Sequence, residues 1–213
     1  MDWLLDKLFF LIPSIISLTF HEYAHAWSAN RLGDRTAAEA GRLTLDPTVH
    51  IDPIGTVLLP LLGVPFGWAK PVPVRPDRFR RGVNQQTGMM WVAAAGPLAN
   101  LLLAFVCGVT LAMIVAWVPS SRAPDRLLYI GMQMNIVLCL FNLLPIPPLD
   151  GSRIADRYMP ASLREPWEKL QANAGIALIV LFVVMSNTTV DLFGWARQLA
   201  VAGVRELVGL LGG

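Results

Sequence analysis

Five residues carry the chemistry legible in this chain: His21, Glu22, Tyr23, Ala24 and His25, an H-E-x-x-H run. Residues four apart share one face of a helix, so both imidazoles can reach a single metal ion. Glu22 adjoins the first ligand and is placed to act as general base toward water on that metal. The chain has only three His, so the pattern rarely arises by chance placement. The rival reading is two helix histidines satisfied by hydrogen bonds, with Glu22 in a local ion pair.

Zinc in a hydrolytic site takes three protein ligands and leaves the fourth position open. The candidates for the third are His50, Glu39, Asp46, Asp52 and Asp150. Asp150 stands out. It closes the stretch Asn142-Leu143-Leu144-Pro145-Ile146-Pro147-Pro148-Leu149-Asp150-Gly151, directly after an apolar run. The prolines break a helix there and leave irregular backbone, which is tolerated at membrane depth only where it lines a cavity in protein. An ordinary proline-rich turn is the alternative for that segment.

The elements that must position these groups read as membrane helices. Hydrophobic residues make up 54% of the 213 and charged residues 15%, against about 25% charged in soluble domains. Mean hydropathy is +0.53. The first apolar helix is expected over 3–30 and carries the motif in its second half; acidic Asp2 and Asp6 at its start argue against a cleaved signal peptide. Further helices are expected over 89–118, 127–144 and 174–190. A possible last one over 192–211, interrupted by Arg197, Arg205 and Glu206, is either a span or an amphipathic surface helix. Region 31–88 is rich in Gly, Pro and Asp. It is expected to hold β-like pieces at 41–45 and 70–74 around a re-entrant or interfacial segment, 54–66. Trp3, Trp27, Trp68, Trp91 and Trp117 fall near helix ends and read as interfacial anchors.

This predicts an all-α polytopic membrane protein, a single domain over 1–213 with four to five transmembrane helices and a small β/re-entrant region after the first. If 3–30, 89–118, 127–144 and 174–190 all cross, loops 31–88 and 145–173 share one side. They hold twelve Lys and Arg residues against three on the other side. The positive-inside rule makes the first side cytoplasmic. His21 then lies ten residues from Arg31, roughly 15 Å below that surface, and Asp150 follows a helix that exits on the same side.

The sequence resembles the site-2 proteases, a family of intramembrane zinc metalloproteases. The likeness rests on the His21–His25 motif and on Asn142-x-x-Pro145 leading to Asp150-Gly151. It extends through Gly41-Arg42-Leu43-Thr44-Leu45-Asp46-Pro47, His50-Ile51-Asp52-Pro53-Ile54-Gly55, Gly67-Trp68-Ala69-Lys70-Pro71-Val72-Pro73-Val74 and Ala95-Gly96-Pro97-Leu98-Ala99-Asn100. It covers about residues 10–155, in the order of the compact bacterial and archaeal branch; 31–88 is too short for a PDZ domain. The resemblance implies one zinc ion per chain, bound by His21, His25 and Asp150, with Glu22 as base. It implies a membrane-anchored protein substrate, with Asn142 near the substrate or the developing oxyanion. It also implies a multi-pass protein of the cell membrane, its active site toward the cytoplasm.

Asn100 either borders that site or cross-links helices through its amide. His50 either contacts substrate or oxyanion or is simply hydrogen-bonded in its loop. The segment Lys70–Val74 either receives an extended substrate as an added strand or covers the loop. Cys107 and Cys139 lie in apolar runs without CxxC spacing and read as small hydrophobes. The net charge of +2 suggests no nucleic-acid partner. A non-catalytic metal-binding or adaptor protein would not need Glu22. A metal transporter would need acidic or histidine residues along several helices, and 101–118 and 174–190 have none.

Overall fold

The structure, a computed structural model, describes residues 2–62, 67–117, 122–187 and 191–212. Residues 63–66 of the expected re-entrant segment, Val118 and 188–190 lie outside them. The described chain is mostly helical. Helix α1 runs Asp2–Arg31 and continues through Pro13. After it come the short helices α2 (Thr36–Glu39) and α3 (Leu59–Leu61). The long helices α4 (Gln85–Trp117) and α5 (Arg122–Asn142) follow. Then come α6 (Asp150–Tyr158), α7 (Ala161–Ala172), α8 (Ala174–Asn187) and α9 (Leu192–Gly212). The long apolar runs therefore form helices close to the expected bounds. Helices α6 and α7 were not expected; their region read as loop because it is polar.

Among the described residues no strand forms. Residues 41–45 are a turn and irregular chain, and 70–74 is extended but unpaired. Pro71 and Pro73 have no N–H to give a ladder, so the expected β pieces do not appear. Region 47–58 is built from capped turns instead. Asp46 caps Pro47–Val49; bonds from the Thr48 hydroxyl and N–H hold its carboxyl below the usual carboxylate range. Asp52 caps the wider turn Pro53–Leu58, accepting from the N–H groups of Ile54 and Gly55.

Helix α4 is the axis of the fold and packs on α1, α5, α6 and α9. Ala104, Leu111, Met132 and Ala200 form a buried core between α4, α5 and α9, with Cys107, Leu128 and Val204 against it. Helix α9 thus packs along the bundle through Ala196 and Ala200. Cys107 and Cys139 are free thiols, half-buried and buried. Helix α4 is long and apolar enough to cross a membrane on its own composition, with mean hydropathy 2.5 over its best window. Among the described residues no other helix meets that test. Trp27, Trp68, Trp91 and Trp117 are exposed; the Trp3 side chain lies outside the described residues.

Candidate active site

Helix α1 has two faces. Ile12, Ile16, Phe20 and Trp27 are exposed, while Ser14, Ser17, His21, Glu22 and His25 are buried. The buried face packs on α4, where Val92, Gly96 and Asn100 recur every four residues and line up. Gly96 makes room for both imidazoles. A Cβ there would lie 2.5 Å from His25 Nε2 and 2.6 Å from His21 Cε1.

Each ring is held by its Nδ1. His25 Nδ1–H donates to the Val92 carbonyl at 2.7 Å, and His21 Nδ1 meets Asn100 Oδ1 at 2.6 Å. A carbonyl oxygen only accepts, so both Nδ1 atoms carry hydrogen, and in the neutral rings both Nε2 atoms present lone pairs. Those Nε2 atoms are 3.0 Å apart. Asp150 Oδ2 stands 3.2 Å from one and 3.3 Å from the other, and has no hydrogen-bond partner although buried. The turn before α6 delivers it. Pro147 and Pro148 are joined by a cis bond, and Gly151 passes so near the Leu143 and Leu144 carbonyls that a Cβ would sit 2.3 and 2.4 Å from them.

This triangle of acceptors needs positive charge at its centre. Tetrahedral zinc with ligands at about 2.0–2.1 Å separates them by about 3.3 Å, close to the edges observed. Two neutral imidazoles and a carboxylate also suit zinc chemically, and each imidazole has the outer hydrogen bond that fixes a ligand's tautomer. The residues present therefore fit the ion.

Glu22 faces the same cleft, and its Oε2 accepts from the Val72 N–H at 2.9 Å. The cleft, about 950 Å³, also takes in Asn142, Trp68 and Arg153. Asn142 donates its amide N–H to the Leu138 carbonyl one turn back. The other two candidates sit elsewhere. Asn100 is fully buried behind His21, its amide spent on His21, Ser17 and Asn135, so it cross-links helices and does not face the cleft. His50 is 1% exposed; its Nε2–H donates to the Thr44 carbonyl within the 44–50 turn. Neither lines the cleft.

Two supporting residues escaped sequence reasoning. Asp34 is fully buried and takes the N–H groups of Thr36 and Arg75, tying the end of α1 to the chain that crosses Glu22. Asn135 on α5 binds Asn100 and Ser17. The signal for Asn135 was present: an amide in an apolar helix that must find a partner.

A helix-borne pair of histidines, a carboxylate that could be a third ligand and an adjacent glutamate are the arrangement expected of a zinc metalloprotease. Peptidase family M50 matches residues 113–186. YwhC of Bacillus subtilis (strain 168), which carries the name "Putative zinc metalloprotease", is 41% identical over 180 residues, 82% of this chain and 80% of that protein. Rip2 of Mycobacterium tuberculosis (strain H37Rv), named in the same words, is 27% identical over 202 residues, 89% of this chain and 75% of that protein. No solved structure matches. The chain belongs to peptidase family M50 and is a zinc metalloprotease of the site-2 type.

Proposed function

We propose that this enzyme hydrolyses peptide bonds in or beside transmembrane segments of membrane-anchored proteins, from a site open toward the cytoplasm. The observation that carries this reading is the setting of the triad. His21, His25 and Asp150 lie between helices whose outer faces expose Ile12, Ile16 and Phe20 on α1 and Leu102 and Phe105 on α4, while α8, at the cleft edge, exposes Ile176 and Ile179. Exposed apolar side chains in such number suit lipid as solvent. On this reading α1, α4, α5 and α8 cross the bilayer, α9 packs beside them, and the cationic loops lie on the cytoplasmic side.

In this mechanism His21, His25 and Asp150 hold zinc and Glu22 is the base. Zinc, when bound, supplies Lewis acidity toward the scissile carbonyl and toward water. Glu22 takes a proton from the attacking water at a carboxylate oxygen and returns it to the leaving amine. The Val72 N–H holds that carboxylate in line. Asn142 lines the cleft wall, and on this reading its amide donates to the carbonyl oxygen as charge develops there. His21, Glu22 and His25 are themselves buried, which strengthens these polar contacts.

The test uses full-length protein in lipid nanodiscs with a membrane-anchored reporter. Glu22→Gln is expected to retain zinc and lose cleavage; Asp150→Ala is expected to lose both. Cleavage by Glu22→Gln would refute the mechanism.

A further inference from the structure

A chain of buried amides runs from the candidate metal ligand into the bundle. Asn100 on α4 meets His21 Nδ1 with its oxygen and donates its nitrogen to the Ser17 carbonyl (3.3 Å) and to Asn135 Oδ1 (2.8 Å). Asn135 on α5 donates its own nitrogen to Ser17 Oγ and to the Gly131 carbonyl, each at 2.8 Å. Asn100, Asn135 and Ser17 are 0%, 1% and 1% exposed, so water does not compete for these bonds.

Donor and acceptor parity then leaves one arrangement. The Gly131 carbonyl only accepts, so Asn135 must turn its nitrogen there and its oxygen toward Asn100. The Ser17 carbonyl only accepts as well, and together these two acceptors claim the Asn100 nitrogen. The Asn100 oxygen is left for His21, whose Nδ1 must therefore carry the hydrogen. The bare nitrogen is then Nε2, the atom that faces Asp150 and His25. Of the two bonds that orient Asn100, the one to Asn135 is the shorter.

We infer that Asn135 is a positioning residue for the metal centre, acting through Asn100 to set the tautomer of His21. The inference rests on the proposed role of His21 as a ligand. It extends the support of His21 over three helices: α1 carries the imidazole, α4 its acceptor, and α5 the group that orients the acceptor. Outer hydrogen bonds of this kind change metal affinity about 10–100-fold when lost.

The test reads the tautomer directly. Full-length protein with ¹⁵N-labelled histidine is placed in nanodiscs, stripped of zinc and studied by NMR in alkaline buffer. Substitutions of His25 and His50 assign the signals of the three histidines. Expected is hydrogen on Nδ1 of His21 in the wild type and a mixture of tautomers in Asn135→Leu. Zinc affinity of that variant, from competition with a chromogenic chelator, is expected to fall about tenfold or more. Asn135→Ser, too short to reach Asn100, is a milder variant for the same reading. Asn135→Asp still presents a carboxyl oxygen to the Asn100 nitrogen and is expected to restore both readouts. An unchanged His21 tautomer and zinc affinity in Asn135→Leu and Asn135→Ser would overturn the inference, as would an Asp variant no better than Leu. The tautomer is read without metal, so a wild type that bound no zinc would refute the ligand assignment separately.

Discussion

The backbone N–H of Val72 donates to Oε2 of Glu22 at 2.9 Å. Pro71 and Pro73 on either side have no N–H, so this is the one main-chain donor of residues 71–73. The extended segment is itself tied down. Thr56 Oγ1 donates to the Trp68 carbonyl, the Lys70 N–H to the His50 carbonyl, and the Arg75 N–H to Asp34. A surface segment, not a helix, therefore aims the proposed base.

Val72→Pro removes that bond while keeping an extended backbone. A hydrogen bond to a charged group is worth about 1.5–3 kcal/mol, so turnover is expected to fall about ten- to a hundredfold. Zinc content should be unchanged, and Val72→Ala should behave as wild type. Equal turnover in Val72→Pro would show that the bond does not orient Glu22.

Gly96→Ala places a methyl 2.5 Å from the His25 ring and 2.6 Å from the His21 ring. The rings cannot yield without leaving the triangle. Zinc affinity is expected to drop at least about tenfold, the scale of lost ligand orientation, with cleavage lost alongside. Gly108→Ala on the same helix meets only Met132 Sδ, at 3.0 Å, the flexible end of a side chain, and should keep its zinc. Isothermal titration of both variants checks this.

Asp34→Asn sets an amide N–H group against one of the N–H groups that Asp34 accepts. The cost is about 1–3 kcal/mol for an unsatisfied buried group. Residues 67–75 are expected to exchange amide hydrogen faster, and turnover to fall without loss of zinc. Exchange mass spectrometry reads the first effect; unaltered protection of 67–75 would contradict it.

Stripping zinc with a chelator should abolish hydrolysis, and zinc should restore it. At free zinc 100 times Kd the folded state gains about 2.7 kcal/mol, visible as a higher Tm than in the stripped protein. An equal Tm with and without zinc would argue against a bound structural role for the triad.

The proposed orientation predicts that a cysteine at Arg81, in a background without Cys107 and Cys139, reacts with membrane-impermeant maleimide only after cells are permeabilised. Labelling of intact cells would reverse the topology.

Much of the site was legible in the sequence because its parts are local. The spacing of His21 and His25 fixes a shared helical face, and Glu22 is their neighbour. Asp150 announced itself through the prolines before it. For Asn100 and His50 the sequence left two readings open, for one reason. A polar residue in an apolar stretch must find a partner, but composition does not say whether that partner is a substrate or another side chain. For Asn100 it is His21 and Asn135; for His50 it is the Thr44 carbonyl. The expected strand at 70–74 failed because nothing pairs with it, although its extended shape, set by Pro71 and Pro73, was readable.

By itself the sequence determined the long helices, the HExxH face and the zinc chemistry, since periodicity and ligand type act over a few residues. Only the tertiary structure decided which nitrogen of each imidazole is bare, what holds Glu22, and that Asp150 closes the triangle. Those depend on contacts between residues 50 to 129 positions apart, made by the packing of α1 on α4 and α6 and by the crossing of residues 67–75. No local pattern encodes such distances.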